Sequence, residues 1–130
     1  MVIDTSAVIA ILRAEPEAEL FLSAIDAAES AHLSAATYLE IAVVVTRMGD
    51  AIVSRNFDRL LEDLNVAVHP FTLDQAKIAR QAHRDFGKGN HPAALNFGDC
   101  FSYALAKTLG QPLLYKGRDF AQTDVASPIS

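Results

Sequence analysis

Four carboxylates are set apart by their neighbours. Asp4 follows directly on the apolar pair Val2-Ile3, and Glu40 is the only charged residue between Ala35 and Thr46. Asp99 lies between Phe97-Gly98 and Cys100-Phe101, and Asp119 follows Pro112-Leu113-Leu114-Tyr115 beside Lys116, Gly117 and Arg118. An ionised acid beside buried apolar residues is costly unless it stays wet or meets a counter-charge, and a divalent cation meets that need. Oxygen donors without histidine or cysteine partners favour Mg²⁺ or Mn²⁺ over zinc or copper. Each acid also has a plainer reading. Asp4-Thr5-Ser6 suits a helix cap, and Glu40 suits the wet side of an amphipathic helix. Asp99 suits a helix start, where the dipole favours negative charge. Asp119 suits a weak surface pair with an adjacent base. Asp124 is either an extra ligand or an exposed residue near the end of the chain.

The elements that would position these acids can be read from hydrophobic period and punctuation. Met1 to Ile3 reads as a buried strand, and the apolar residues Ala7 to Leu12 as a helix. Pro16 suits the first turn of a second helix, whose stripe is Ala18, Phe21, Leu22 and Ile25 and whose end is near Ala28. Ala31 to Ser34 reads as a strand, with Ser34 or Thr37 starting a helix that carries Glu40 and stops at Gly49. Ile41 to Val45 is rich in β-branched residues and by propensity alone suits a strand. The spacing of Leu39, Val43 and Thr46 predicts helix. Asp50 caps a helix with Val53, Phe57, Leu60, Leu61 and Leu64 on one side. Val66 to His69 reads as a strand stopped by Pro70, and Thr72-Leu73-Asp74-Gln75 has the form of a capping box opening a helix to Phe86. A loop spans Gly87 to Pro92. Asn96 or Gly98 then precedes a helix from Asp99 to Leu109, with Gly110 after it, and Pro112 to Tyr115 is the last strand. Strands alternating with helices imply a parallel sheet. In that frame the acids recur after the first strand, in the helix after the second, before the fourth and after the fourth. Asp4 falls where open parallel sheets gather ligands, beyond a strand's carboxyl end. The tail after Asp124 is expected to fray.

The chain has 130 residues, 51% of them hydrophobic, which suits one domain over residues 1–130 with a single core. There is no internal repeat or linker of distinct composition. No basic stretch followed by an apolar run opens the chain, and no segment has the length of a membrane span, so a cytoplasmic location is expected. One cysteine, Cys100, excludes an internal disulfide framework. Cys100 suits packing better than nucleophilic chemistry. The net charge of -5 argues against binding nucleic acid through overall positive charge. Acids neutralised around cations weaken that objection. Lys77, Arg80 and Arg84 follow i, i+3, i+7 spacing on one helix face, with Lys88 just past its end, and such a stripe suits phosphate contacts. Arg118 and Lys116 are further candidates. The plainer reading is a solvated face balanced by Asp74 and Asp85.

The sequence resembles the PIN-domain ribonucleases, and among them the VapC-type toxins of bacterial toxin-antitoxin pairs. The resemblance covers essentially the whole chain. It is carried by Met1-Val2-Ile3-Asp4-Thr5-Ser6, Tyr38-Leu39-Glu40, Asn96-Phe97-Gly98-Asp99-Cys100-Phe101-Ser102-Tyr103-Ala104, and Pro112-Leu113-Leu114 ahead of Asp119-Phe120. It implies a three-layer α/β/α fold, a central parallel sheet flanked by helices. It also implies that Asp4, Glu40, Asp99 and Asp119 form one catalytic cluster supported by Thr5 or Ser6. The implied reaction is metal-dependent hydrolysis of RNA phosphodiesters with Mg²⁺, or Mn²⁺, in which Asp4 and Asp99 are the best direct ligands. Homodimerisation and a small inhibitory antitoxin are implied as well. Arg118 departs from the family pattern, since many relatives carry an acid or amide there.

Two rival functions are open to the sequence. A magnesium-dependent phosphatase would use Asp4 as covalent nucleophile. The second aspartate that would help such an enzyme, two residues on, is replaced by Ser6. A non-catalytic binding scaffold would use the acids only as caps.

Overall fold

Val2–Ile3 forms strand β1, and its two residues divide the molecule into two cores. Ile3 packs in a cluster with Val8, Phe21, Leu33 and Ile41, whereas Val2 packs in one with Leu105, Leu113 and Phe120. Alternate side chains of a strand point to opposite faces, so a central strand that is apolar at every position buries both. The computed structural model describes residues 1–129, and Ser130 lies outside them.

The elements in chain order are β1, α1 (Thr5–Leu12), α2 (Ala18–Ala27), β2 (Ala31–Ser34), α3 (Ala35–Arg47), α4 (Ala51–Asp63), β3 (Val66–His69), α5 (Leu73–Phe86), α6 (Phe97–Leu109) and β4 (Leu113–Leu114), with a 3-10 turn at Phe120–Gln122. The four strands are parallel in the order β3-β2-β1-β4. Chain growth runs from β1 to β3 in one direction and then returns past β1 to β4. Right-handed crossovers therefore place α1 to α4 on one face and α5 with α6 on the other. The two apolar clusters match that division, which is the α/β/α layering implied by the resemblance.

Burial rather than ladder length holds the short strands. Ile3, Leu33, Leu113 and Leu114 are at most 1% exposed, and each such side chain contributes roughly 1.5–3 kcal/mol. In α3, tertiary packing overrides the β-branched run: Thr37, Ile41 and Val45 are buried at i, i+4 and i+8 against the core. Asp50 caps α4 through Ile52 N and Val53 N.

Several boundaries differ from the sequence expectation. Asp4 is the N-cap of α1, so that helix starts at Thr5. Pro16 lies two residues ahead of α2 rather than in its first turn. β1 and β4 have two residues each. α6 starts at Phe97, not Asp99, because Asn96 and Asp99 exchange bonds in a capping box that makes Asp99 the third helical residue. The tail is tied down rather than frayed, since Leu113 N donates to Ala126 O at 2.9 Å and Ile129 packs against the first core cluster. Among the described residues no helix is long and apolar enough to cross a membrane.

Candidate active site

The sheet order reverses between β1 and β4, and open parallel sheets hold ligands at such a switch point, beyond the strand ends. Asp4 leaves β1 there, and the loop after β4 brings Lys116 and Asp119 beside it. α3 supplies Glu40 from its middle, and the first turn of α6 supplies Asp99. The four acids line one cavity of about 310 Å³, together with Thr5, Ser6, Val44, Asn96, Lys116 and Phe120.

Each acid is held by named partners. Asp4, 3% exposed, accepts from Ser102 Oγ at 2.6 Å on Oδ1 and from Ser6 N and Ser6 Oγ at 3.0 and 2.7 Å on Oδ2. Ser6 Oγ also accepts from Lys116 N at 2.9 Å, which ties the loop after β4 to the end of β1. Thr5 Oγ1 donates to Glu40 Oε1. Asp99 Oδ2 accepts from Asn96 N at 3.0 Å, the return arm of the capping box. Asp4 and Asp99 therefore do cap helices, as their plainer readings hold, while facing the same cavity.

The electrostatics of this cavity are strained. Burial pushes the carboxyl of Asp4 above the usual range against the pull of its hydrogen bonds. Burial likewise raises Glu40, and the charge of Asp4 adds to it. Asp99 is pushed up to about 7, first by burial and then by the charges of Asp4, Asp119 and Glu40. Among the described residues the one base lining the cavity, Lys116, pairs elsewhere, its ammonium 2.9 Å from Glu15 and 3.3 Å from Glu17. Acids crowded together, with the one lining ammonium turned to Glu15 and Glu17, form a donor set suited to a hard divalent cation. Among the described residues no three histidine, cysteine or acidic side chains close into a cage. The acids line a shared wall.

The other candidate residues lie elsewhere. Arg80 and Arg84 line a separate, largely apolar groove of about 570 Å³ between α5 and α6, with Phe71, Phe97 and Phe101. Lys77 and Lys88 are exposed and line neither cavity, and Arg118 is exposed beside Asp119 without lining the acidic one. None of these five bases pairs with an acid among the described residues, so Asp74 and Asp85 do not balance the stripe by contact. Asp124 stands outside the acidic cavity, where it accepts from Tyr103 Oη at 2.6 Å and pairs with Lys107 at 2.8 Å. Burial, and then the charge of Asp99, pushes the Cys100 thiol up to about 11, so it stays protonated and donates to Asn96 O.

Three residues around the acids escape a reading that follows charge alone. Ser102 and Thr37 are buried and 3.4 Å apart, and Ser102 is the donor to Asp4. Asn96 caps Asp99. A signal for them exists in the spacing: Ser102 is three residues past Asp99 and Thr37 three before Glu40, hence on the acid-bearing faces of their helices.

The PIN domain family matches residues 1–126. Ribonuclease VapC28 of Mycobacterium tuberculosis is 50% identical over 126 residues, covering 96% of this chain and 95% of that protein. Ribonuclease VapC30 of the same organism is 49% identical over 127 residues, covering 98% and 97%. Among solved structures, VapC20 of Mycobacterium tuberculosis, described as a toxin that cleaves the sarcin-ricin loop, superposes with a TM-score of 0.77 at 16% identity, covering 96% of this chain and 95% of that one. A toxin-antitoxin complex from Klebsiella pneumoniae gives 0.72 at 18% identity, covering 99% and 98%. The family match over residues 1–126 and the likeness to these ribonucleases over nearly the full length of both chains show that the chain belongs to the PIN-domain family, in the group of the VapC ribonucleases.

Proposed function

We propose that this protein is a Mg²⁺-dependent endoribonuclease of the cytoplasm, the toxin of a toxin-antitoxin pair, and that Asp4, Glu40, Asp99 and Asp119 form its catalytic site. The observation that carries the proposal is the meeting of these four acids in one cavity at the β1/β4 switch point, three of them with raised carboxyl pKa and the lining base Lys116 paired instead with Glu15 and Glu17. Asp4 and Asp99 would hold Mg²⁺, or Mn²⁺ in its place, and Glu40 and Asp119 would hold its waters. When bound, the ion supplies a Lewis acid for the phosphoryl oxygen and a water of lowered pKa.

The chain's own residues do the rest. Ser102 and Ser6 keep the Asp4 carboxylate aimed into the cavity. Thr5 donates to Glu40 Oε1 and holds that carboxylate at the cavity, where it would accept a proton from the attacking water. The Asn96 cap fixes Asp99 at the start of α6. Ser6 stands two residues past Asp4, where the phosphatase reading would want a second acid, and its hydroxyl donates to Asp4 Oδ2, which disfavours that reading.

Lys77, Arg80, Arg84, Lys88 and Arg118 are proposed to contact RNA phosphates. Phe97 links the two regions, since it opens the helix that carries Asp99 and also lines the groove of Arg80 and Arg84. A homodimer is the expected assembly, and Phe97, 79% exposed, is an apolar side chain through which to test it. Phe97→Asp should then shift the sedimenting species to the monomer. A cognate antitoxin is the expected protein partner.

The deciding experiment is cleavage of total RNA by purified protein across a Mg²⁺ titration, with EDTA and with Asp99→Asn in parallel. Cleavage that needs the ion and vanishes in the folded variant is expected. Undiminished cleavage by Asp99→Asn would sink the assignment, and a folded wild type that cuts no RNA would return the scaffold reading.

A further inference from the structure

Gly98 is the second residue of α6, in its first turn and directly before Asp99. Its backbone does not call for glycine, because its φ is not in the positive range that Gly49, Gly89, Gly110 and Gly117 occupy. The reason is spatial. A Cβ built on Gly98 would stand 1.7 Å from Glu40 Oε2, 2.5 Å from its Cδ and 2.7 Å from Oε1. The Glu40 carboxylate occupies the volume in which any other residue at position 98 would carry its side chain. On its other side the same carboxylate is held by Thr5 Oγ1.

We infer that Gly98 is a positioning residue of the active site: its missing side chain is the socket that seats the Glu40 carboxylate between α1 and α6. This inference rests on the proposed role of Glu40 and adds the element that fixes where that acid stands. Glu40 projects from the middle of α3 and has to reach the cavity across the start of α6. A long side chain on an otherwise open path has several rotamers. The Thr5 hydroxyl and the Gly98 hollow together select one. A methyl at position 98 displaces the acid from that seat without removing any functional group, and the three atoms nearest to it all belong to the Glu40 carboxylate.

The test is a double-variant cycle on the full-length protein. Gly98→Ala should lower kcat by about 10²-fold, the scale of a roughly 1 Å misplacement, with KM for RNA little changed. It should also weaken Mn²⁺ binding to the resting protein in a calorimetric titration without RNA. Glu40→Asp is one methylene shorter and retracts from the socket. Gly98→Ala with Glu40→Asp should therefore cut RNA faster than Gly98→Ala alone, although Glu40→Asp by itself is slower than wild type. Wild-type kcat in Gly98→Ala, or a double variant no faster than Gly98→Ala, overturns the inference.

A stability arm covers the case in which Gly98→Ala folds poorly. In the Glu40→Ala background the socket is empty, and there Gly98→Ala should leave the melting temperature unchanged or raised. A loss of stability that persists in that background overturns the inference. Glu40→Gln separates the two levels. Full activity in it would remove Glu40 from the proposed site, whereas an inactive Glu40→Gln with a fully active Gly98→Ala would sink only the socket.

Discussion

Ser102 Oγ donates to Asp4 Oδ1 at 2.6 Å across 98 residues of sequence, joining the middle of α6 to the end of β1 where both are buried. Asp4 is deprived of water, so this charge-assisted bond is a main support of its ionised form. Ser102→Ala should destabilise the protein by about 1.5–3 kcal/mol at pH 8, the scale of a hydrogen bond to a charged group. It should slow cleavage by roughly 10-fold as the Asp4 carboxylate loses one of its two anchors. Thermal melts and single-turnover rates check both. A variant as stable and as fast as wild type would mean that Ser6 alone holds Asp4.

Asp99 makes stability depend on pH in an unusual sense. Its carboxyl titrates at about 7 in the folded chain and near an ordinary ~3.9 when unfolded. Between those values the folded state holds a proton that the unfolded state has lost. Stability in metal-free buffer should therefore fall as pH rises from about 4 to about 7 and level off above. The raised carboxyls of Asp4 and Glu40 act in the same direction. Asp99→Asn should melt higher than wild type at pH 8 and no higher at pH 4, measured in EDTA. Mg²⁺ should raise the wild-type melting temperature at pH 8 by mass action, and the variant's by less. A wild type that gains stability through this range would contradict the crowding of acids in the cavity.

Asp124 is the control acid. It stands outside the cavity on Tyr103 and Lys107, and its pair with Lys107 is a surface one worth less than about 1 kcal/mol. Asp124→Asn should cleave RNA at the wild-type rate with unchanged Mg²⁺ dependence. A large drop in its rate would place the site differently from the four acids named here.

The exposed bases of α5 should act through binding alone. Replacing Arg80 and Arg84 with alanine should weaken RNA binding and lower the salt slope by about 0.7 for each single-strand phosphate that these arginines neutralise. Mg²⁺ affinity should stay the same, because neither residue lines the acidic cavity. Filter binding across a salt series, with a metal titration of the free protein, measures the two effects separately.

The sequence by itself determined the elements and their type, because local period, caps and stops agree along most of the chain. Thr72 and Asp50 mark their helices through short-range bonds that any chain with those residues can form. It also singled out Asp4, Glu40 and Asp99 by their apolar neighbours, Asp119 by its place after the last strand, and all four by likeness to a family. Tertiary structure decided what those neighbours cannot show. The exclusion of Asp124 follows from Lys107 and Tyr103 claiming it, and the start of α6 at Phe97 follows from a reciprocal cap that propensity does not reveal. The roles of Ser102 and Gly98 arise only when β1, α3 and α6 meet. A hydroxyl or a missing methyl has no preferred partner along the chain, and the bond or hollow it provides exists only between elements brought together by the sheet order.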